Sequence, residues 1–226
     1  MNEKLFITRK RKKYKFAKFD EFDNCFQLGD WVAVAEVFNN NHKNLVLEIG
    51  AGTALFSVEL ARRHPENFYI AVDIKSDRLY TGAKLANELQ IKNIIFVRSG
   101  IKEFVGSLPE NAVDEVWITF PDPHANEDQT RLTSTGDRKR LTSPIFLDLY
   151  KPILKNNGLL HFKTDNKPLF DWSVVKIQSA KWNIIRKTNN LHSSDFGDDY
   201  KVMTTYERRF IREDLPILCL SATMNK

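Results

Sequence analysis

Between Leu45 and Ser179, five short apolar runs alternate with segments of helical pattern, and this alternation constrains the fold more than any other feature. The runs are Leu45–Ile49, Phe68–Asp73, Ile94–Val97, Val116–Phe120 and Leu159–Lys163. They are β-rich and too short for buried helices. Ala54–Arg63, Asp77–Leu89, Lys102–Val105, Ser143–Leu154 and Leu169–Ser179 read as helices, the fourth with Pro144 in its first turn. Such alternation predicts an α/β fold with a mostly parallel, doubly wound sheet. Trp182–Arg186 and Tyr206–Ile211 are expected to close the sheet, and Leu28–Phe38 to form a helix ahead of it. Ala125–Asp137 is expected to be a mobile loop over the active face, and Leu191–Tyr200 a second loop.

The 226 residues suit one domain, residues 19–226, behind a short arm, residues 1–18. No apolar run approaches the roughly 20 residues of a membrane span, and Met1–Lys18 lacks the apolar segment of a signal peptide. Cys25 and Cys219 form no CxxC pair, so neither a zinc site nor a disulfide framework is expected. Cytoplasmic residence follows as the expectation, with no membrane partner; oligomeric state, monomer or homodimer, stays open. The net charge of +5 is unevenly placed. Residues 1–18 carry eight Lys/Arg and one acid, and the rest of the chain is slightly acidic. A basic arm of this kind is a nucleic-acid contact, a localisation signal or a solubilising tail. Its aromatics Tyr14 and Phe16, with Phe19 just beyond, suit stacking on bases or anchoring of the arm.

Glu48-Ile49-Gly50-Ala51-Gly52 lies where the first strand turns into a helix. Glycines there permit a tight turn and close approach of a ligand to the backbone. Asp73 ends the second strand, where an acid can accept hydrogen bonds from ribose hydroxyls. Both NAD and S-adenosylmethionine contain adenosine and fit this much. Leu55 stands where a dinucleotide fingerprint wants its third glycine. The Glu48 carboxylate opposes a pyrophosphate but suits a cationic amino group, which favours S-adenosylmethionine. The plainer alternative makes Glu48 a helix-dipole partner and Asp73 a cap.

The fourth strand ends in Phe120-Pro121-Asp122-Pro123. Proline cannot continue a sheet ladder and restricts the residue before it, so the chain leaves the sheet stiffly with Asp122 held in a preset direction. The carboxyl ends of strands in an open α/β sheet are where ligands bind. A proline-rich turn with a solvated aspartate is the alternative.

Taken together, Glu48-x-Gly50-x-Gly52, Asp73, Phe120-Pro121-Asp122-Pro123, Arg140-Leu141-Thr142-Ser143-Pro144, Lys163-Thr164-Asp165 and Thr204-x-Tyr206-Glu207 resemble the bacterial tRNA (guanine-N7)-methyltransferases, the TrmB family. The resemblance spans about Asn44 to Phe210. It implies a Rossmann-like class I methyltransferase fold, S-adenosylmethionine as cofactor and the variable-loop guanosine 46 of tRNA as substrate. It assigns Glu48, Gly50, Gly52, Asp73, the position of Gly100 and Asp122 to the cofactor, and Asp122 also to the catalytic centre. Asp165, Thr204, Tyr206 and Glu207, with Asn126, fall on substrate contacts. The chain departs from the family at three places. Gly100 stands where an aspartate usually faces the adenine, Ala54 replaces the last glycine of the turn, and His124-Ala125-Asn126 replaces a Trp and a Lys/Arg-rich stretch. Basic residues return as Arg138-Lys139-Arg140, which, with the arm, are the candidate tRNA contacts.

Guanine N7 carries a lone pair and no proton, so its methylation needs no general base. In-line positioning and a carboxylate near the developing positive charge suffice, and Asp122 is expected to orient and stabilise. Asp165 and Glu207 are expected to accept from the guanine N1–H and N2–H₂ edge, with Thr204 assisting. His124, Tyr206 and Trp172 are candidates for stacking on the base. Two other readings stand beside this one: a methyltransferase acting on a small molecule or another RNA base, and a relative that binds without catalysis.

Overall fold

A computed structural model of the chain describes residues 14–15, 18–28, 42–213 and 215–224. Most of the basic arm, and the helix expected over Leu28–Phe38 apart from Leu28 itself, lie outside the described residues. In chain order the elements are β1 (Cys25–Gln27), β2 (Leu45–Ile49), α1 (Leu55–Arg63), β3 (Phe68–Asp73), α2 (Ser76–Glu88), β4 (Ile94–Arg98), α3 (Ile101–Gly106) and β5 (Val113–Thr119). There follow α4 (Pro144–Ile153), β6 (Leu154–Thr164), α5 (Lys167–Ser179), β7 (Asn183–Thr188), α6 (Thr205–Arg212) and β8 (Leu218–Thr223).

The eight strands form one sheet in the order β1-β4-β3-β2-β5-β6-β8-β7. Strands β1 to β6 pair in parallel, and β8 runs antiparallel between β6 and β7. From β2 the chain first builds outward through β3 and β4, then restarts on the other side of β2 with β5. The β2/β5 boundary is therefore the topological switch point, and its carboxyl end is open to a ligand.

Both faces of the sheet are covered, which explains why the central strands read as continuous apolar runs. Alternate side chains sort to opposite faces. Leu45, Leu47 and Ile49 pack with Val116, Ile118, Leu147 and Phe170 on the face of α3, α4 and α5. Val46, Tyr69 and Trp117 pack with Phe56, Leu60 and Leu79 on the face of α1 and α2.

The last part of the chain corrects the sequence reading. Tyr206–Ile211, expected as a strand, lies in helix α6, and Leu218–Thr223 closes the sheet instead. The three-residue strand β1 was also unforeseen; it is too short to carry a periodic signal. Ala125–Asp137 is not a free loop. Ala125 bridges Leu132, the turn between them is closed by Asn126, and Ser134–Gly136 forms a 3₁₀ turn. Leu191–Tyr200 is likewise anchored, with Leu191 and Phe196 buried and the Leu191 N–H donating to the Ile217 carbonyl at 2.8 Å.

Candidate active site

At the end of β2 the chain turns through two left-handed glycines, Gly50 (φ +67°) and Gly52 (φ +56°). A Cβ on Gly52 would meet nothing within 4 Å, so this turn borders open space rather than packed core. The turn is held from β3. The Gly52 N–H donates to Asp73 Oδ2 at 2.9 Å, and the Lys75 N–H to Asp73 Oδ1 at 2.8 Å. Each oxygen keeps a further lone pair for a hydroxyl donor. Glu48, Gly50, Gly52, Arg78, Phe120 and Thr204 share the resulting crevice.

Glu48 is buried there. Its Oε2 accepts from Ser57 Oγ at 2.5 Å and its Oε1 from Thr119 Oγ1 at 2.7 Å. Burial pushes its pKa up, against the opposing pull of the two hydroxyls and of Lys163. The carboxylate thus joins the start of α1 to the end of β5 while bordering the crevice.

Across the switch point, β5 leaves the sheet through Phe120, whose φ is +48° although it precedes Pro121. His124, also at φ +48°, is the second left-handed residue of this exit. Such backbone costs about 1–3 kcal/mol per residue and persists only where the surroundings impose it. The Phe120 N–H is held by the Lys163 carbonyl at 2.9 Å. Between the two, Asp122 accepts the His124 N–H at 2.8 Å, and its side chain is 74% exposed. Its carboxylate is therefore exposed, two residues beyond Phe120, which lines the crevice.

The second constraint is Arg140, which sequence reasoning placed among the RNA contacts. Its side chain is fully buried. Nε donates to the Pro123 carbonyl at 2.8 Å, while Nη2 donates to the His124 and Thr133 carbonyls at 3.0 and 2.7 Å. Nη1 pairs with Asp137, and the guanidinium lies 4.9 Å over the Trp172 ring. Gly136 permits this, because a Cβ there would come within 2.4 Å of His124 Cβ. Arg140 is thus a clamp on the Asp122 loop, and only Arg138 and Lys139 of the basic run are exposed to a partner. Within a run of three cations nothing local marks the one that is buried.

The remaining candidates follow β6 and precede or open α6, and of these Thr204 lines the crevice. Asp165 directly follows β6, half-buried, and desolvation raises its pKa. The N-cap of α5 is its neighbour Asn166, which accepts the Leu169 N–H at 2.8 Å, leaving the Asp165 carboxylate free of that task. Thr204 and Glu207 cap α6 reciprocally. Thr204 Oγ1 accepts the Glu207 N–H at 3.1 Å, and Glu207 Oε2 accepts the Thr204 N–H at 2.9 Å. This is a capping box, and the Thr-x-x-Glu spacing was its visible signal. Glu207 is fully buried and pairs with Lys163 Nζ at 2.9 Å, with His192 Nε2 at 3.3 Å from the same oxygen. Thr204 reaches the crevice; the Tyr206 side chain lies outside the described residues.

Two further candidates are engaged in local contacts. Gly100 caps α3, and the place of its missing side chain is filled by Glu103, whose carboxylate oxygen lies 2.1 Å from the ideal Cβ position. Asn126 spends its side chain on its own turn, accepting the Arg131 N–H at 2.8 Å and donating to Thr130 at 3.3 Å. Trp172 carries Arg140 on its ring, which removes it as a base-stacking surface.

Residues 42–220 match the family model Methyltransf_4, described as "Putative methyltransferase". The chain is 33% identical over 198 residues to the tRNA (guanine-N(7)-)-methyltransferase of Christiangramia forsetii, covering 86% of this chain and 84% of that protein. It is 35% identical over 188 residues to the enzyme of the same name from Lactobacillus johnsonii, covering 83% of each. Among solved structures, the 16S rRNA methyltransferase KamB superposes with a TM-score of 0.64 at 16% identity, over 86% of this chain and 94% of that one. A SAM-dependent methyltransferase from Aquifex aeolicus superposes with a TM-score of 0.53 at 16% identity, over 94% and 96%. These two likenesses concern the fold, a class I methyltransferase arrangement. On the sequence matches, the chain belongs to the bacterial tRNA (guanine-N7)-methyltransferase family.

Proposed function

We propose that this chain transfers the methyl group of S-adenosylmethionine to N7 of a guanosine in tRNA, at variable-loop position 46. The observation that carries the reading is the juxtaposition, across the β2/β5 switch point, of the glycine turn held by Asp73 and the strained exit that presents Asp122.

The residues present fit the cofactor. Gly52 leaves open space where a Cβ would stand, and Asp73 retains lone pairs for the two ribose hydroxyls. Glu48 sets a carboxylate beside the turn, complementary to a cationic amino group. When bound, S-adenosylmethionine supplies an electrophilic methyl group on a sulfonium. The protein's tasks are then to hold the purine in line and to answer the positive charge that develops on it. Asp122, exposed and oriented by His124, supplies the opposing negative charge without taking a proton, since N7 has none to give. Asp165, half-buried and not used as the cap of α5, offers its carboxylate to the N1–H and N2–H₂ edge. Glu207 is engaged within the protein on both oxygens, so its part is to set Thr204 and α6 in place. Arg138, Lys139 and the arm 1–18 offer charge to the tRNA backbone.

Labelled S-adenosylmethionine and bulk tRNA test the reading. Transfer of label is expected, together with borohydride- and aniline-induced cleavage at one variable-loop guanosine. Label on tRNA without that cleavage would move the reaction to another base, and no label would refute the reading.

A further inference from the structure

We propose that Lys163 is a positioning residue for methyl transfer, its buried ammonium fastening the 200–207 segment against the crevice; the proposal rests on the functional reading above. Lys163 lies at the carboxyl end of β6, and its side chain is fully buried. Nζ donates to the Tyr200 carbonyl at 2.7 Å and the Val202 carbonyl at 3.2 Å, and it pairs with Glu207 Oε1 at 2.9 Å, an oxygen that His192 Nε2 also approaches at 3.3 Å. One cation thus holds a single eight-residue stretch at three points, by two hydrogen bonds and one ion pair.

The same Nζ lies 5.1 Å from the Phe56 ring centroid and 5.8 Å from that of Phe120. These rings belong to α1, which starts behind the glycine turn, and to the exit of β5 before Asp122. Lys163 therefore touches both walls of the crevice as well as the segment that covers it. The connection continues outward. Glu207 fixes Thr204 through the capping box, and Thr204 lines the crevice.

Energetics argue that stability alone does not explain the pair. Desolvating two charges offsets most of what their attraction contributes, and hydrophobic replacements of both partners are often neutral or stabilising. An ammonium with a fixed set of acceptors instead specifies one arrangement of the segment. Its donors reach out from a rigid central strand, whereas 200–204 has no strand or helix of its own.

The test compares Lys163→Met with the double variant Lys163→Met/Glu207→Gln. Glutamine keeps the acceptor of the capping box while removing the charge that Lys163→Met would strand. The single variant is expected to be the less stable of the two. The double variant is expected to keep its thermal midpoint within about 5 °C of wild type and its S-adenosylmethionine affinity within about threefold. Its kcat on tRNA should nonetheless fall about 100-fold, a magnitude typical of misplaced reactants. Amides of 200–207 should exchange with solvent at least about tenfold faster, with protection elsewhere retained.

A double variant that turns over at the wild-type rate overturns the proposal. So does one that fails to fold, which would make the pair structural, or one whose loss lies in cofactor affinity. If wild-type protein modifies no tRNA, the functional reading fails separately, and amide exchange with S-adenosylhomocysteine bound decides. Unchanged protection of 200–207 in the double variant would then sink the positioning role.

Discussion

Arg140 donates its Nε–H to the carbonyl of Pro123 at 2.8 Å, seventeen residues back along the chain and directly behind Asp122. Two left-handed residues, Phe120 and His124, bracket that aspartate, and the same guanidinium also holds the His124 carbonyl. The strain in the loop and the buried cation that holds it belong to one device.

Replacing Arg140 by Met should therefore cost about 3 kcal/mol, because the half-buried Pro123 and Thr133 carbonyls lose this donor and the His124 carbonyl keeps only Thr133. Arg140→Lys should recover little, since an ammonium cannot reproduce the planar fork. Urea unfolding measures both variants, and a cost within experimental error for Arg140→Met would show that water replaces the clamp.

Asp122→Ala should leave the fold and cofactor affinity nearly unchanged, because the side chain is exposed and its one backbone bond is local. Methyl transfer should fall about 100-fold or more if the carboxylate answers charge in the transition state. Asp122→Asn, which keeps the turn, separates charge from geometry. Full turnover in both variants would reduce Asp122 to a turn residue.

Glu48 carries a pH prediction. Burial raises its folded-state pKa, so the folded state binds its proton more tightly than the unfolded chain. Stability should then fall as pH rises through and above the ordinary carboxylate range, because ionising the buried group costs the folded state more. Glu48→Gln removes this dependence. It should equal or exceed wild type in stability at pH 7, with the difference shrinking as pH is lowered below the ordinary value. Thermal unfolding of the cofactor-free proteins across pH 4–8 decides, and a gap that widens toward acid would reverse the assignment.

Deleting residues 1–18 should weaken tRNA binding and flatten its salt dependence, since eight cations leave with the arm. S-adenosylmethionine affinity measured by calorimetry should not change. An unaltered slope of log affinity against log salt would remove the arm from the RNA interface.

The alternation from Leu45 to Ser179 was enough to set the central sheet, because a strand buried on both faces must be apolar throughout and a glycine turn must follow it at the ligand edge. The positions of Glu48, Asp73 and Asp122 at strand ends were legible for the same reason. What lay beyond reach was which charges would be buried. Arg140 reads like Arg138 and Lys139, yet only its guanidinium is enclosed. Lys163 reads as an ordinary strand end, and Glu207 as an acceptor for the guanine edge, until the tertiary structure brings them to 2.9 Å. The swap at the end of the chain, helix for Tyr206–Ile211 and strand for Leu218–Thr223, has the same origin. Local pattern reports which faces are apolar, and so determines the layers. The pairing of charges and the choice of edge strand depend on groups far apart in sequence, and only the folded packing, where desolvation makes an unpaired charge expensive, decides them.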